Sequence, residues 1–515
     1  MMNAGRKILK LLAFSILTLL LVGPLTAADY DLEKKVRKFT LKNGLRVLLV
    51  ERHVSPTVSL YIRYRVGAAD EAGGRTGTAH LLEHMMFKGT ASIGTKNYER
   101  ERKILRDIKK TGSRLDLEIM KGDRADRNRI EKLTRKLKSL QAEHRKWCIP
   151  NEIDRLYTEN GAEDMNASTG QDVTTYHVSL PVNRIELWAR IESDRMTRPV
   201  LREFFTERDV IMEERRQRIE SDPEGKLAEQ FFAAAFQAHP YGRPILGWPA
   251  DMRYLNMDET ESFFRKTHAP NNTVIAVVGD IDPGATLRII DRYFGGIPAQ
   301  ALDRSPVTEE PPQTGERRVE VNFDAKPRLM IGYHKPAPPA FDDYVLDVAE
   351  AVLSKGRTSR LYRSLVERQQ LAETVDAANG MPGSRFPGLF VVSATPRSPH
   401  GAGDVEGAIY AQLDQLKEEL IPERELQKTK NQMKADYIRH LNSNSGLAGM
   451  LSYYEIMMGD FRYLTNYIQV IEKIGPADIM TAARKYFRKE NRTVATLVSR
   501  SGATTKQHGP PPEKQ

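Results

Sequence analysis

The stretch TAHLLEHMMFKG, residues 78 to 89, sets His80, Glu83 and His84 within five positions of a 515-residue chain that has 11 histidines. On a helix, positions i and i+4 lie about 40° apart around the axis, so His80 and His84 can aim two imidazoles at one ion. Glu83, at i+3, lies about 60° to the other side of His80, within reach of a water on that ion. HLLEH is thus the mirrored form of HExxH, with its Glu before the second His. Leu81, Leu82, Met85 and Met86 fill the opposite side and can seat the helix in a core. The competing reading is a core helix carrying two hydrogen-bonded histidines. A third ligand decides between them, because catalytic zinc takes three protein ligands and keeps a fourth place for water.

A carboxylate for that place occurs in FFTERDVIMEERRQRIE. Glu207 and Glu214 are seven apart, two helical turns, and share a face. Val210 and Ile211 lie between them, which predicts that this face turns inward. Glu213, with Asp209 and Arg216 near it, reads as solvated. Taken alone, the segment also reads as a charged surface helix.

The elements that must position these residues follow from periodicity and turn chemistry. VRKFTLKNGLRVLLVERH holds two β-rich runs around Asn43-Gly44, a hairpin signal, and VSLYIRYRVGAAD predicts a further strand. Thr78 to Phe87 reads as the motif helix, with Thr76 or Thr78 as N-cap and Gly89 beyond its end. MNASTGQDVTTYHVSL alternates as a strand pair, helices are expected at Val182 to Met196 and Val200 to Ser221, and NNTVIAVVGDID predicts an apolar strand. Between Glu101 and Trp147 there are 16 Lys and Arg against 8 Asp and Glu. Ile130, Leu133, Leu137 and Leu140 keep a 3, 4, 3 spacing there, and Gly112 and Gly122 read as breaks. Residues 101–158 are therefore expected to form a charged helical hairpin inserted into the first domain. Packed on itself it is a solvated arm; otherwise it is a contact surface for a partner or an anionic membrane.

MDETESFFRKTHAPNNTVIAVVG resembles GPADIMTAARKYFRKENRTVATLVS near the end of the chain, placing Thr273 opposite Thr493. This predicts two homologous α/β domains, each a mixed, mostly antiparallel sheet covered by helices. The expected boundaries are 29–295, a proline-bearing linker at 296–317, 318–503, and a disordered tail at 504–515. The second copy carries DDYVLDVAEAVLSKGRTSRL where the first carries HLLEH, so the chemistry belongs to the first.

At this length the chain can build its cores without a metal, so a metal would serve chemistry. Arg6, Lys7 and Lys10 before the uncharged run Leu11 to Val22, then PLTAADY, read as a signal peptide over residues 1–28. The run is shorter than the ~20 residues of a membrane span, so an exported protein with no span after signal removal is expected. The single Cys148 fits export and is expected to be an inert thiol. Net charge is +10, but most of the excess sits in the arm, and no nucleic-acid module signature accompanies it.

HLLEHMMFKGT, MNAST, the ERDVIMEE helix, HPYGRPILG and NNTVIAVVGDID together resemble the pitrilysin family of zinc peptidases, which includes insulin-degrading enzyme and the mitochondrial processing peptidase. The likeness runs in order over nearly the whole mature chain. It implies that His80, His84 and Glu214 bind one Zn²⁺, that Glu83 is the general base, and that Glu207 supports the site. It further implies that Asn166 and Ala167 lie on the edge strand where a peptide or unfolded segment is laid out, in a zinc endopeptidase; with the signal peptide, the expected location is the periplasm. Two departures stand out. The family's ligand Glu lies roughly 75 to 80 residues past the motif, whereas Glu214 lies 130 past His84, the arm supplying the excess. Complete members also carry an Arg and, seven residues on, a Tyr in the second half. Here Val366 and Glu373 occupy those places, and neither can stabilise an oxyanion. Arg368 or Arg360 could substitute only with a shifted alignment. The resemblance therefore implies a homologous, zinc-lacking partner subunit that supplies Arg and Tyr, with a self-sufficient homodimer or a peptide-binding scaffold as the alternatives.

Overall fold

Strands β1 (Val36–Thr40) and β2 (Arg46–Glu51) form the hairpin that Asn43-Gly44 predicts, paired antiparallel from Val36↔Val50 to Thr40↔Arg46. Gly44 sits at φ +83°, a conformation that favours glycine. In this computed structural model, residues 32–302 and 306–499 are described; the expected signal peptide and tail lie outside them. With β3 (Thr57–Tyr64), β4 (Glu163–Thr169), β5 (Thr174–Pro181) and β6 (Thr273–Gly279), the first sheet runs β1-β2-β6-β3-β5-β4. Every residue of β6 is buried, as its unbroken apolar run requires of a strand covered on both faces.

The second sheet contains β7 (Arg317–Asn322), β8 (Arg328–Lys335), β9 (Ala372–Met381), β10 (Gly388–Pro396) and β11 (Arg492–Val498), in the order β7-β11-β8-β10-β9. Without β1 the first sheet has the same order, strand for strand. Each sheet also has one parallel pair in the same place, β2 with β6 and β7 with β11. The repeat in the sequence is therefore a repeat of topology, and Thr273 and Thr493 lie buried in the matching strands β6 and β11.

The helices packed around the two sheets include α1 (Thr78–Met85), α2 (Tyr98–Ile119), α3 (Arg127–Arg145), α4 (Ile185–Thr197), α5 (Phe204–Arg215), α6 (Pro223–Ala235), α7 (Met257–Thr267), α8 (Phe341–Ser354), α9 (Glu423–Leu441), α10 (Asn444–Met458), α11 (Arg462–Lys473) and α12 (Pro476–Tyr486). One face of the first sheet is covered by α1, α4 and α5 from its own half. Its other face, with Leu48, Val274, Ala276 and Val278, is covered by Leu447, Ala448 and Leu451 of α10, from the second half. The exchange is reciprocal, for Leu227, Phe231 and Ala235 of α6 cover Val321, Leu389, Val391 and Leu497 of the second sheet. A two-faced sheet must bury both faces, and here each half takes one cover from the other. Lys38 and Arg46 fasten the exchange through the fully buried Glu455 of α10.

Helices α2 and α3 form the expected hairpin, with Gly122 in the turn at φ +57°. Gly112 is not a break, since α2 runs through it. A Cβ there would lie 2.0 Å from Cζ of Phe205, so glycine is required by the close approach of α2 to α5. The Ile130 to Leu140 stripe packs on the first core rather than only on α2. At the arm's base the buried Glu101 accepts from Nε of Arg202 at 2.6 Å and pairs with His144 at 2.8 Å.

Candidate metal centre and active site

The motif helix starts at Thr78, as the sequence predicts, but its cap is remote. Gly77, at φ +90°, is the N-cap and offers no side chain. Instead the buried carboxylate of Glu71 accepts from the backbone N–H of Gly77 at 2.8 Å and of Ala79 at 2.7 Å. Thr76 turns to Asp251 and Thr78 to the carbonyl of Arg75, so neither threonine caps the helix. The α-helix ends at Met85, and Gly89, at φ +89°, turns the chain away. Leu81, Leu82, Met85 and Met86 are all buried in the first core, which fixes the helix's rotation and leaves His80, Glu83 and His84 facing α5 and β4.

Nε2 of His84 lies 3.4 Å, and Nε2 of His80 3.6 Å, from Oε2 of Glu214. Ligand atoms about 2.1 Å from a tetrahedral ion are about 3.4 Å from one another, so these separations suit one ion held by all three. His80 is buried, its Nδ1 has no hydrogen-bond partner, and its Nε2 is too far from Glu214 for one. Burial, then the charges of His84 and Arg218, push its pKa down to about 3, which keeps the ring in the neutral form that a metal needs.

Around this triangle, Glu207 lies 3.4 Å from Nδ1 of His84, the nitrogen turned away from Glu214, where a carboxylate can orient a ligating ring. Burial opposes the charge on Glu207, but hydrogen bonds from His84 and Lys88 prevail and hold its carboxyl below the usual range. Lys88 sits 2.5 Å from it. The Glu207 bond in turn raises the pKa of His84 against burial. Glu83 accepts from the hydroxyl of Thr169 at 2.6 Å; burial raises its pKa, which suits a base working near neutrality. Val210 is 45% exposed, because only Glu207 and Ile211 on that stretch of α5 turn to the core. Glu213 is solvated and paired with Arg216, as its neighbours predict. Immediately after α5 the backbone widens into a π-helical turn, Arg216–Glu220, and Nη1 of Arg218 reaches Oε1 of Glu214 at 3.0 Å. Nothing local in the sequence singles out Thr169 or Glu71, and of Arg218 only its i+4 spacing from Glu214 is visible in the chain.

Asn166 and Ala167 lie in β4, the edge strand, where Ala167 pairs with Tyr176 and its N–H donates to the side chain of Asn166. Thr169 ends the same strand, so the Thr169–Glu83 bond ties the edge to the motif helix.

The second half offers no equivalent cluster among the described residues. Val366 packs on the second core, and Glu373 is paired with Lys326 at 2.9 Å. Arg360 is held in a two-point pair by Glu425, and Arg368 donates to the carbonyl of Arg363, so each is occupied within its own half. In α8, the counterpart of the motif helix, Asp343 and Asp347 have the i, i+4 spacing. The ammonium of Lys335 occupies Asp343, and the Asn379 amide and Tyr467 hydroxyl occupy Asp347. Cys148 has its pKa pushed up to about 12 by burial and then by Glu101, as an unreactive thiol would.

Fold and site together define a class: a chain of two topologically equivalent α/β halves, one of which carries an inverted His-x-x-Glu-His helix opposite a glutamate-bearing helix. Residues 46–123 and 145–248 match the family description "Insulinase (Peptidase family M16)", and residues 254–433 match "Peptidase M16 inactive domain". The first match breaks across 124–144, which covers most of α3. The chain belongs to peptidase family M16, the insulinase or pitrilysin family. It is 27% identical over 497 residues to the zinc protease PqqE of Helicobacter pylori, covering 95% of this chain and 98% of that protein. A crystal structure of a protease from Helicobacter pylori superposes with a TM-score of 0.75 at 26% identity, covering 90% of this chain and 99% of the other. The periplasmic protease PqqL of Escherichia coli shares the fold at a TM-score of 0.67 and 17% identity, covering 93% of this chain but 49% of its own.

Proposed function

We propose that the protein is an exported zinc endopeptidase subunit that hydrolyses peptide bonds in peptides or unfolded segments, working in the periplasm with a homologous, zinc-lacking partner. The observation that carries this reading is the convergence of His80, His84 and Glu214 at the spacing of a tetrahedral ion, with Glu83 one helical turn from His80. Relatives named zinc proteases over nearly the full length support zinc as the metal. His80, His84 and Glu214 would hold the ion, and Glu207 would orient His84. A zinc ion held there supplies Lewis acidity, polarising a carbonyl and acidifying a water molecule. Glu83 takes the proton of the attacking water and passes it to the leaving amine, while Thr169 holds its carboxylate in place. The substrate lies extended against β4 at Asn166 and Ala167, where a free sheet edge reads backbone more than side chain.

Pairing is supported by what the second half lacks. Val366 and Glu373 cannot stabilise a charged tetrahedral centre, and the nearby arginines are engaged elsewhere. PqqL, described as periplasmic, matches along 49% of its length, so that protein has room for two such units in one chain.

Glu83→Gln tests the reading. The variant is expected to keep one zinc per chain while peptide cleavage falls about a hundredfold or more. Wild-type cleavage by the variant, or a chain that takes up no zinc, overturns it. Adding a zinc-lacking homologue to the wild type should raise cleavage; full activity of the pure chain alone overturns the pairing.

A further inference from the structure

The fold sorts the charges of the arm. Three of its eight acidic residues are turned inward: Glu101 to Arg202 and His144, Asp116 to Arg208, and Glu118 to Lys121 and Arg129. Of its 16 cations, 15 are exposed, so the outer surface is more positive than the sequence alone implies. On α2 the exposed residues Lys103, Arg106, Lys110 and Arg114 follow a 3, 4, 4 spacing and form one stripe, and none of the four has an ion-pair partner among the described residues. The opposite side of the same helix, with Leu105, Ile108, Gly112 and Leu115, is buried.

The stripe leads to an apolar tip. Leu117 continues it three residues on and is 63% exposed, and Met120, three further on, is 50% exposed. The next residues, Lys121 to Asp126, form the turn into α3 and are mostly charged. Exposed aliphatic side chains at the end of a cationic helix cost free energy in water and match one environment well, an interface with anionic headgroups above and acyl chains below. The cations are long, flexible and not fixed by partners. Such a set suits a field of mobile negative charge better than the fixed carboxylates of one protein partner.

The geometry points to a membrane-docking function for the arm: the Lys103–Arg114 stripe lies on anionic phospholipid headgroups while Leu117 and Met120 enter the interface. Binding then needs both charge and apolar tip, and neither belongs to the catalytic machinery.

The test is flotation of the full chain with phosphatidylcholine vesicles with and without phosphatidylglycerol. The wild type is expected to float only with phosphatidylglycerol and to release in high salt. Charge removal in the K103Q/R106Q/K110Q/R114Q variant should weaken binding at least about a hundredfold, and L117S/M120S should weaken it at least about tenfold. Both should keep the wild-type circular dichroism and melting temperature, because all six side chains are exposed. Equal flotation with neutral vesicles, or undiminished binding by the charge-removed variant, overturns the inference. So does absence of vesicle binding alongside saturable binding to an acidic protein, which would assign the arm to a protein partner.

Discussion

The hydroxyl of Thr169 donates a 2.6 Å hydrogen bond to Oε2 of Glu83. The two residues come from the end of an edge strand and the middle of the motif helix, 86 positions apart, and the bond sets the angle at which the carboxylate faces its neighbours. Glu83 is largely buried, and a carboxylate in such a place needs a donor if it is to stay oriented and ionised. Thr169→Val is expected to lower kcat roughly tenfold to a hundredfold with zinc content and KM little changed, and Thr169→Ser to restore it. Steady-state kinetics beside metal analysis read this out. Loss of zinc in Thr169→Val would assign the residue a purely structural part.

Removing the proposed zinc ion is expected to separate chemistry from folding. The first core is built from Leu81, Leu82, Ile211 and their apolar neighbours and does not pass through the three ligands. A chelator is therefore expected to abolish cleavage while far-UV circular dichroism is retained, and zinc to restore activity. Zinc at a hundred times its dissociation constant should add about 2.7 kcal/mol of stability. Global unfolding on chelation would contradict this.

Asp347 gives the second half a pH dependence. Burial, then the charge of Asp343, pushes its pKa up to about 7, with the Asn379 amide at 2.7 Å and the Tyr467 hydroxyl at 2.9 Å opposing the shift. Glu350 lies on the same helix, and Lys335 of β8 sits on Asp343. The folded pKa lies above the unfolded value of ~4, so the native state holds the extra proton between the two. Stability is thus full below about pH 4 and falls as pH rises towards 7, by up to about 1.4 kcal/mol per unit. Asp347→Asn should flatten that slope and raise the melting temperature at pH 7.5. An unchanged slope would show that Asp347 is ionised throughout.

Gly112 measures how closely the arm is laid on the site helix. A methyl group there meets the Phe205 ring at 2.0 Å, so Gly112→Ala is expected to cost about 1–3 kcal/mol by denaturant titration despite its better helix propensity. Combining it with Phe205→Leu should recover part of the loss. A stabilised Gly112→Ala would mean that α2 stands off from α5.

The candidate site was legible because it rests on local spacing. His80, Glu83 and His84 share one turn, and Glu207 and Glu214 share one face, relations that 3.6 residues per turn impose before any tertiary contact forms. Val210 shows the limit of the same argument: it lies between the two glutamates in sequence, yet it is exposed, because the helix's rotation is set by what packs on it. Gly112 read as a helix break for a similar reason. Its actual role is to admit an aromatic ring 93 positions away, and nothing in its own neighbours announces that ring.

By itself the sequence determined the repeat, the strands and helices, the motif and its distant carboxylate, because periodicity and residue type act over a few positions. The tertiary structure alone decided that Glu71 caps the motif helix, that Thr169 holds Glu83, that α6 and α10 cross between the halves, and that the arm turns three of its acids inward and nearly all of its cations out. Those outcomes are set by which surfaces must be buried and which buried polar groups need partners, and those partners come from segments far apart in the chain.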